Sequence, residues 1–283
     1  MDTQHRFAVV TDSTADIPPE MATSRGIAVV PLTVSFGLET MLDGELSQED
    51  FFARMKEAPQ LPTTAQPPVG LFVEAYERAL QNAESVLSVH ISNKLSGTIE
   101  SARQAASEFA GRVHVFDSLS LSWGLAWQAV EAATAAAEGA SVESALERLE
   151  RARERVQLIV GLDSLDNLAR GGRIGRVSAF LGTLLSVKVT LTVDENGEFV
   201  PLARSRGERA ALEHTMEWIT EQMAGRRRGS FAVGHALSES RARRLADEIS
   251  ARFDVDEMVI YQAGSVICAH TGTGWGVAVL PAE

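Results

Sequence analysis

The stretch that decides the fold is Phe7-Ala-Val-Val10, followed at once by Thr11-Asp12-Ser13-Thr14. A short apolar run bounded by a hydroxyl-rich turn is typical of a buried strand that ends at a polar loop. The same order of strand, polar loop and helical pattern recurs through the first half of the chain. Because parallel strands need crossover connections, this alternation predicts an α/β fold with a mostly parallel twisted sheet and flanking helices.

The remaining elements of the first half follow from the same patterns. Strands are expected at 27–30, 32–36, 85–89, 113–116 and 156–160. Helices are expected after Ser47, after the turn-rich loop 61–68, after the loop 92–97, and at 122–138 and 141–154. Ser47 precedes an acidic first turn, and Gly139 separates the last two helices, as helix start and stop signals do.

The second half predicts an α+β domain. The Asp194-Glu-Asn-Gly197 segment between two β-rich runs is a hairpin signal, because Asn-Gly favours a tight turn. Strands are expected at 187–193, 198–203, 230–234, 255–260 and 264–269. Helical segments are expected at 165–170, 177–185, 208–223 and 240–252. We place the two domains at 1–160 and 161–283.

Composition limits the function classes. The chain has 283 residues, with 26 Lys and Arg against 38 Asp and Glu, which gives a net charge of −12. This length suits two domains of roughly 100–200 residues each. The acidic balance argues against a general nucleic-acid binder, since such affinity comes from Lys and Arg. Cys268 is the single cysteine, no apolar run has membrane-spanning length, and the N-terminal segment does not resemble a signal peptide. A soluble, cytoplasmic monomer is expected.

Familiar chemical motifs are missing from the sequence. It contains no G-x-x-x-x-G-K-[ST], no G-x-G-x-x-G after the first strand, no G-x-S-x-G and no H-E-x-x-H. The six histidines show no pair at helical ligand spacing. We therefore expect neither a metal nor a nucleotide cofactor.

Hydroxyl-rich loops at strand ends are the main functional signal. They lie at 11–14, 63–64, 92–98 and 117–118. In a parallel sheet such loops gather at the carboxyl edge, where ligands bind. Ser96-Gly97-Thr98 offers hydroxyls and backbone N–H groups to an oxyanion, although each hydroxyl could equally cap its own helix.

His270 and the segment Gly171-Gly172-Arg173 have two interpretations each, whereas Cys268 has one. His270 is a turn histidine beside a glycine-rich segment, or a donor held against a ligand oxygen. Cys268, which shares a strand face with His270 in the predicted strand, is expected in the core. Gly171-Gly172-Arg173 is an anion-binding nest or a glycine helix stop with a solvated arginine.

Taken in order, six segments resemble the DegV family. They are FAVVTDSTAD (7–16), LPTTAQP (61–67), ISNKLSGTIESA (91–102), VFDS (115–118), LDNLARGGRI (165–174) and AHTGTGWG (269–276). The resemblance covers essentially the whole chain, and the combination of LSGT, GGRI and a late histidine–glycine segment is specific to it.

The resemblance implies a two-domain protein with a long-chain fatty acid bound between the domains. It implies that the carboxylate is presented to a separate bacterial fatty acid kinase, which forms an acyl-phosphate for phospholipid synthesis, so the chain is not itself the enzyme. By the same resemblance Thr63, Ser96 and His270 hold the carboxylate, with Thr64 and Gly97 beside them. Arg173 and Arg206 match residues on the kinase-facing surface. Thr273 and Trp275 depart from the family pattern and are expected to reshape the mouth of the site.

Two alternatives remain open. One is a hydrolase-type enzyme acting on a small carboxylate or ester, with Ser96 as nucleophile and His270 as base. The other is a regulatory ligand sensor.

Overall fold

A computed structural model describes residues 5–180 and 187–283. The chain forms two compact units. The first contains the residues up to Thr33 together with Ala65–Arg155, and the second contains Val34–Thr64 and Val156–Glu283.

The first unit is built on a four-stranded parallel sheet. Its strands are β1 (His5–Asp12), β2 (Ile27–Val30), β6 (Ala83–His90) and β7 (Val113–Asp117), in the order β2-β1-β6-β7. Its helices are α1 (Pro19–Ser24), α3 (Val69–Ala79), α4 (Thr98–Ala106), α5 (Trp123–Ala137) and α6 (Val142–Arg155), with short 3-10 turns at Ser13–Ala15 and Ser107–Phe109. The predicted parallel sheet with flanking helices is confirmed.

Burial explains why these segments form these elements. β1 lies between β2 and β6 and pairs with both in parallel, and Phe7, Val9 and Val10 of its apolar run are buried. Val10, Phe72 and Tyr76 share one core with Val86. Helix α5 is buried on nearly every side, which fits its alanine-rich sequence, since small side chains allow close packing on more than one face.

The second unit contains a six-stranded mixed sheet. Its strands are β8 (Gln157–Leu162), β9 (Val187–Val193), β10 (Phe199–Arg206), β11 (Arg228–Ala236), β12 (Asp254–Gln262) and β13 (Gly274–Pro281), in the order β10-β9-β8-β13-β11-β12. Only β11 and β12 pair in parallel among the described strands of this sheet. The predicted hairpin at Asp194–Gly197 joins β9 and β10 and is confirmed.

Helices and a small sheet complete this unit. The helices are α2 (Gln48–Glu57), α7 (Asp166–Arg170), α8 (Gly207–Gln222), α9 (Glu239–Arg252) and α10 (Ser265–Thr271), with a 3-10 helix at Gly175–Phe180. The small sheet contains β3 (Thr33–Phe36), β4 (Glu39–Leu42) and β5 (Thr63–Ala65), in the order β4-β3-β5. Gln48 secures α2 by donating to the carbonyl oxygens of His235 and Ala263 and accepting from the Leu237 N–H.

The predicted strand at Gly264–Ala269 is wrong, because this segment begins α10. A short apolar run does not distinguish a buried helix from a strand. Here the Asp43 carboxylate accepts the Val266 N–H near the helix start, and the Gly272 N–H closes the helix on the Cys268 carbonyl. Residues two apart on a helix point in different directions, so Cys268 and His270 do not share a face.

Two other expectations differ from the structure in extent. The domains were placed at 1–160 and 161–283, whereas residues 34–64 belong with the second unit and the later division falls at Arg155. This segment precedes the second half in sequence, so a single boundary cannot separate the units. The predicted helix at 177–185 overlaps the 3-10 helix Gly175–Phe180, and its remainder lies outside the described residues.

Trp275 belongs to the core of the second unit, not to the mouth of a site as its departure from the family pattern suggested. Its side chain lies directly over Gly161, the residue opposite it on β8. Its indole N–H donates to Thr215 at 3.2 Å, and the Arg241 guanidinium stacks on the ring at 5.0 Å from the centroid. Gly161 therefore makes room for the indole.

Gly161→Ala should destabilise the second unit by about 1–3 kcal/mol, because overpacking forces a rigid neighbour to move. A Cβ at this position would lie 2.0 Å from the indole. Gly70→Ala is the matched control, since α3 leaves open space there, and it should stabilise by up to about 1 kcal/mol. Chemical denaturation of both variants tests the pair, and equal stability of Gly161→Ala and the parent would contradict the packing argument.

Candidate functional site

A hydrogen bond between Thr64 and His270 forms the centre of the candidate site in the second unit. Thr64 Oγ1 lies 2.7 Å from His270 Nε2. Thr64 is held by strand β5, and His270 lies in the last turn of α10. Residues 206 positions apart in sequence are thus joined through their side chains.

Gly171 makes room for the imidazole. A Cβ on Gly171 would lie 2.4 Å from His270 Nδ1, so any larger residue would displace the ring. Asn167, one turn earlier on α7, donates to the Ala269 carbonyl at 3.3 Å and so joins α7 to α10. The first glycine of the GGR segment therefore has a steric role beside the histidine, in addition to following the end of α7.

Burial makes His270 a neutral residue at pH 7. Burial, with a smaller contribution from the positive charge of Arg173, lowers the pKa of His270 to about 4. Its Nδ1 is buried without a hydrogen-bond partner among the described residues. An unpaired buried acceptor is tolerated better than an unpaired N–H donor. We therefore place the single proton on Nε2, where it is donated to Thr64 Oγ1 and leaves the threonine O–H to donate elsewhere.

Thr63 points away from this pair. Neighbouring residues on a strand face opposite sides, and Thr63 lines a separate open cavity of about 660 Å³ with Phe36, Arg54 and Leu61. Thr63 is exposed, while Thr64 is half-buried. Of the two threonines in the sequence motif, the structure brings Thr64 to His270.

Ser96 and Gly97 lie at the start of α4 in the first unit. Ser96 Oγ accepts the Thr98 N–H at 3.3 Å and lies 2.8 Å from Thr98 Oγ1, so it pairs with a free N–H at the start of α4, whose N-cap residue is Gly97. The Gln66 side chain packs directly against Gly97. A Cβ on Gly97 would lie 2.0 Å from Gln66 Oε1, so a larger residue would displace the glutamine. The Gln66 amide donates to Ser101 at 2.9 Å, which fastens the loop before α3 to α4.

A buried series of hydrogen-bonded polar side chains in the first unit was not predicted from the sequence. Asp12 Oδ2 accepts from His90 Nδ1 at 2.9 Å, and His90 Nε2 lies 2.6 Å from Ser88 Oγ. Ser88 Oγ in turn lies 2.9 Å from the Tyr76 hydroxyl, and burial raises the pKa of that phenol. The register could have revealed the pair, since Thr11 pairs with Val89 in parallel strands and the next residues are Asp12 and His90. This set has the residue types of a Ser-His-Asp triad, but all three side chains are fully buried, so no substrate reaches them.

The two arginines expected to face a kinase are both exposed residues of the second unit. Arg173 follows α7, and its guanidinium donates to the Gly171 carbonyl at 2.8 Å. Arg206 ends β10 and is exposed. Arg204, two residues earlier on the strand, is also exposed.

Thr273 has a structural role. Its hydroxyl donates to Asp163 at 2.7 Å, and Lys188 reaches the other oxygen of that carboxylate at 2.7 Å. Burial alone would raise the pKa of Asp163, but these two hydrogen bonds and the charges of Lys188 and Arg241 hold it below its ordinary value. Thr273 thus joins the loop before β13 to the end of β8.

No helix in the described part of the chain combines the length and apolar character needed to cross a membrane.

Comparison with known proteins identifies the family. A family model described as "Uncharacterised protein, DegV family" matches residues 6–282. A DegV domain-containing protein from Deinococcus radiodurans is 38% identical over 281 residues, which cover 97% of this chain and 98% of that protein. The chain belongs to the DegV family.

Solved structures show the same fold. A DegV family protein from Thermus thermophilus, whose structure was reported for its fatty-acid binding, has a TM-score of 0.93 at 37% identity, covering 98% of this chain and all of that one. The Bacillus subtilis DegV, described as a fatty-acid-binding protein, has a TM-score of 0.88 at 34% identity with the same coverage. The two-unit α/β fold is therefore the DegV fold.

We expect acid to destabilise the protein partly through His270. Its pKa is lower in the folded chain than in the unfolded one, where it is 6.5, so the unfolded state binds its proton first. This contribution to stability is present above about pH 6.5 and is lost as the pH falls towards about 4. His270→Asn should flatten the stability profile in that window, and Arg173→Ala should raise the His270 pKa in an NMR titration. A His270 pKa near 6.5 in the native protein would contradict the assignment of a neutral, buried ring.

Proposed function

We propose that this protein binds a long-chain fatty acid and that Thr64, supported by His270, holds its carboxylate. The observation that carries the proposal is the 2.7 Å contact between Thr64 Oγ1 and a neutral His270. The DegV proteins from Thermus thermophilus and Bacillus subtilis, reported to bind fatty acids, support the ligand class. Ser96 and Gly97 are retained as candidate carboxylate-binding residues of the first unit.

The chemistry of the pair suits binding. A carboxylate accepts hydrogen bonds. The Thr64 oxygen already accepts a hydrogen bond from His270, which orients the threonine O–H to donate to such a carboxylate. Arg173, whose positive charge acts on His270, adds a favourable potential for an anion. Burial of each methylene of an acyl chain contributes roughly 0.8 kcal/mol, so a long chain supplies most of the affinity and the polar groups supply its orientation.

The hydrolase alternative receives less support. A histidine with a pKa of about 4 is a poor general base at neutral pH, where catalysis favours a pKa close to the working pH. No carboxylate among the described residues orients its Nδ1, as a third triad member would. The hydrogen bonds of Ser96 go to Thr98, not to a base.

The finer proposal is that the bound carboxylate is presented to a separate fatty acid kinase in the cytoplasm, which forms an acyl-phosphate for phospholipid synthesis. Arg173 and Arg206 are proposed to face that kinase. Exposed arginines on a chain of net charge −12 supply the local positive charge that directs docking to an acidic partner.

Native mass spectrometry of the purified protein tests the ligand class. A carrier should retain a host fatty acid and should bind added palmitate with one-to-one stoichiometry. Hydrolysis of acyl esters by the isolated protein, together with no retained lipid, would favour the enzyme alternative.

Thr64→Val should weaken palmitate binding by about tenfold or more, since hydrogen bonds to charged groups contribute roughly 1.5–3 kcal/mol. Thr63→Val is the matched control, because it removes the same hydroxyl from the neighbouring residue that faces the other side of the strand. Its affinity should stay within about twofold of the parent protein. Isothermal titration of both variants decides between the two threonines, and a larger loss in Thr63→Val would reverse the assignment.

Arg206→Ala should leave palmitate binding unchanged but slow acyl-phosphate formation when a bacterial fatty acid kinase and ATP are added. The reason is that removing a rim charge reduces association of the two proteins. The control is Arg209→Ala on α8, another exposed arginine, which is paired with Glu213. Normal phosphorylation by the Arg206→Ala variant at limiting kinase concentration would refute the docking role.

A further inference from the structure

We infer that the buried Asp12–His90 pair is a positioning element for the loop Ile91–Gly97, and through it for the Ser96 hydroxyl. The inference rests on the proposed function only in treating Ser96 and Gly97 as ligand-binding residues. The link from Asp12 to the loop consists of hydrogen bonds within the first unit and does not depend on the proposed function.

Asp12 is fully buried, and each of its two carboxylate oxygens accepts two hydrogen bonds. One oxygen accepts the Thr14 N–H at 3.0 Å and the Thr14 hydroxyl. The other accepts His90 Nδ1–H at 2.9 Å and the Ile91 N–H at 3.1 Å. A buried carboxylate is stable only when such donors surround it, so these four bonds fix the ends of β1 and β6 together.

The loop continues directly from this anchor. Ile91 is its first residue, and the N–H of the next residue, Ser92, donates to the Ser120 carbonyl at 2.9 Å. The Ser92 carbonyl then accepts the Ser96 N–H at 3.1 Å. Two hydrogen bonds, from the Ile91 N–H to Asp12 and from the Ser96 N–H to the Ser92 carbonyl, thus connect the Asp12–His90 pair to the backbone of Ser96, and the bond to Ser120 holds the loop between them.

His90 is hydrogen-bonded at both ring nitrogens. Its ring is fully buried, packs edge-on against Phe72 at 5.1 Å between centroids, and joins Asp12 on one side to Ser88 on the other. A proton on Nδ1 is donated to the same Asp12 oxygen that receives the Ile91 N–H. With its proton on Nδ1, His90 therefore helps to hold the carboxylate in the direction that also accepts the Ile91 N–H at the start of the loop.

Two substitutions at one position separate the hydrogen bonds of His90. His90→Asn places an amide donor near the Nδ1 position and keeps the bond to Asp12. His90→Gln places the amide near the Nε2 position, towards Ser88, and loses that bond. Tyr76→Phe is the matched control, because it removes a fully buried hydroxyl at the far end of the same chain without touching Asp12.

The readouts are palmitate affinity, measured well below each melting temperature, and the amide NMR shifts of Ser96 and Gly97. We expect His90→Gln to weaken binding about tenfold or more, while His90→Asn and Tyr76→Phe stay within about threefold. The Ser96 and Gly97 amides should move only in His90→Gln. A loss in Tyr76→Phe equal to that in His90→Gln, or no rescue by His90→Asn, would show a merely structural role and overturn the inference.

Two further measurements keep the inference testable if a variant fails to fold or if the parent protein binds no palmitate. In the parent protein, ¹⁵N shifts of His90 should place the proton on Nδ1, and a proton on Nε2 overturns the inference. Absence of palmitate binding by the parent protein would refute the proposed function alone. In that case the positioning role is tested by hydrogen exchange of the amides of residues 91–97. We expect these amides to exchange faster in His90→Gln than in Tyr76→Phe. Equal exchange rates in the two variants would overturn the inference.

Discussion

A carboxylate without access to solvent determines how the carboxyl edge of the parallel sheet is arranged. Burying the Asp12 charge would cost several kcal/mol without compensation, so the fold must bring donors to both of its oxygens. Those donors come from the turn after β1 and from the end of β6. Because removing any of them leaves a buried charge underpaired, the turn, the strand end and the following loop are constrained as one group.

The second unit meets a related constraint in a different way. There the half-buried His270 avoids the cost of a desolvated charge by remaining neutral, because burial lowers its pKa to about 4. A neutral ring offers one donor and one acceptor, and the donor is directed to Thr64. Gly171 is required at this place because the backbone of the GGR segment passes against the ring. The glycine-rich motif and the histidine are therefore parts of one steric arrangement.

Much of the fold could be predicted from the sequence, because its signals are local. The apolar run at 7–10, the Ser47 cap and the Asn-Gly turn each specify structure within a few residues, and each element is present. The segment 264–269 was misassigned for the same reason. Its helix depends on the Asp43 carboxylate, a residue more than 200 positions earlier, and local patterns carry no information about such a partner. The place of residues 34–64 in the second unit likewise depends on tertiary contacts, such as those of Gln48.

The residue types of the candidate site were predictable, but their pairing was not. Thr63 and Thr64 are equivalent in sequence, and only strand orientation separates them. From the sequence, a role at the helix start and a role in ligand binding are alternatives for Ser96, whereas the geometry is compatible with both. Ser96 Oγ accepts the Thr98 N–H, and its own O–H is left to donate elsewhere when the Thr98 hydroxyl is the donor in the bond between the two hydroxyls. The Thr64 hydroxyl oxygen likewise accepts a hydrogen bond from within the protein, from His270. In both places an internal N–H donates to the hydroxyl oxygen, so the bond that stabilises the fold also restricts the direction in which the hydroxyl can donate.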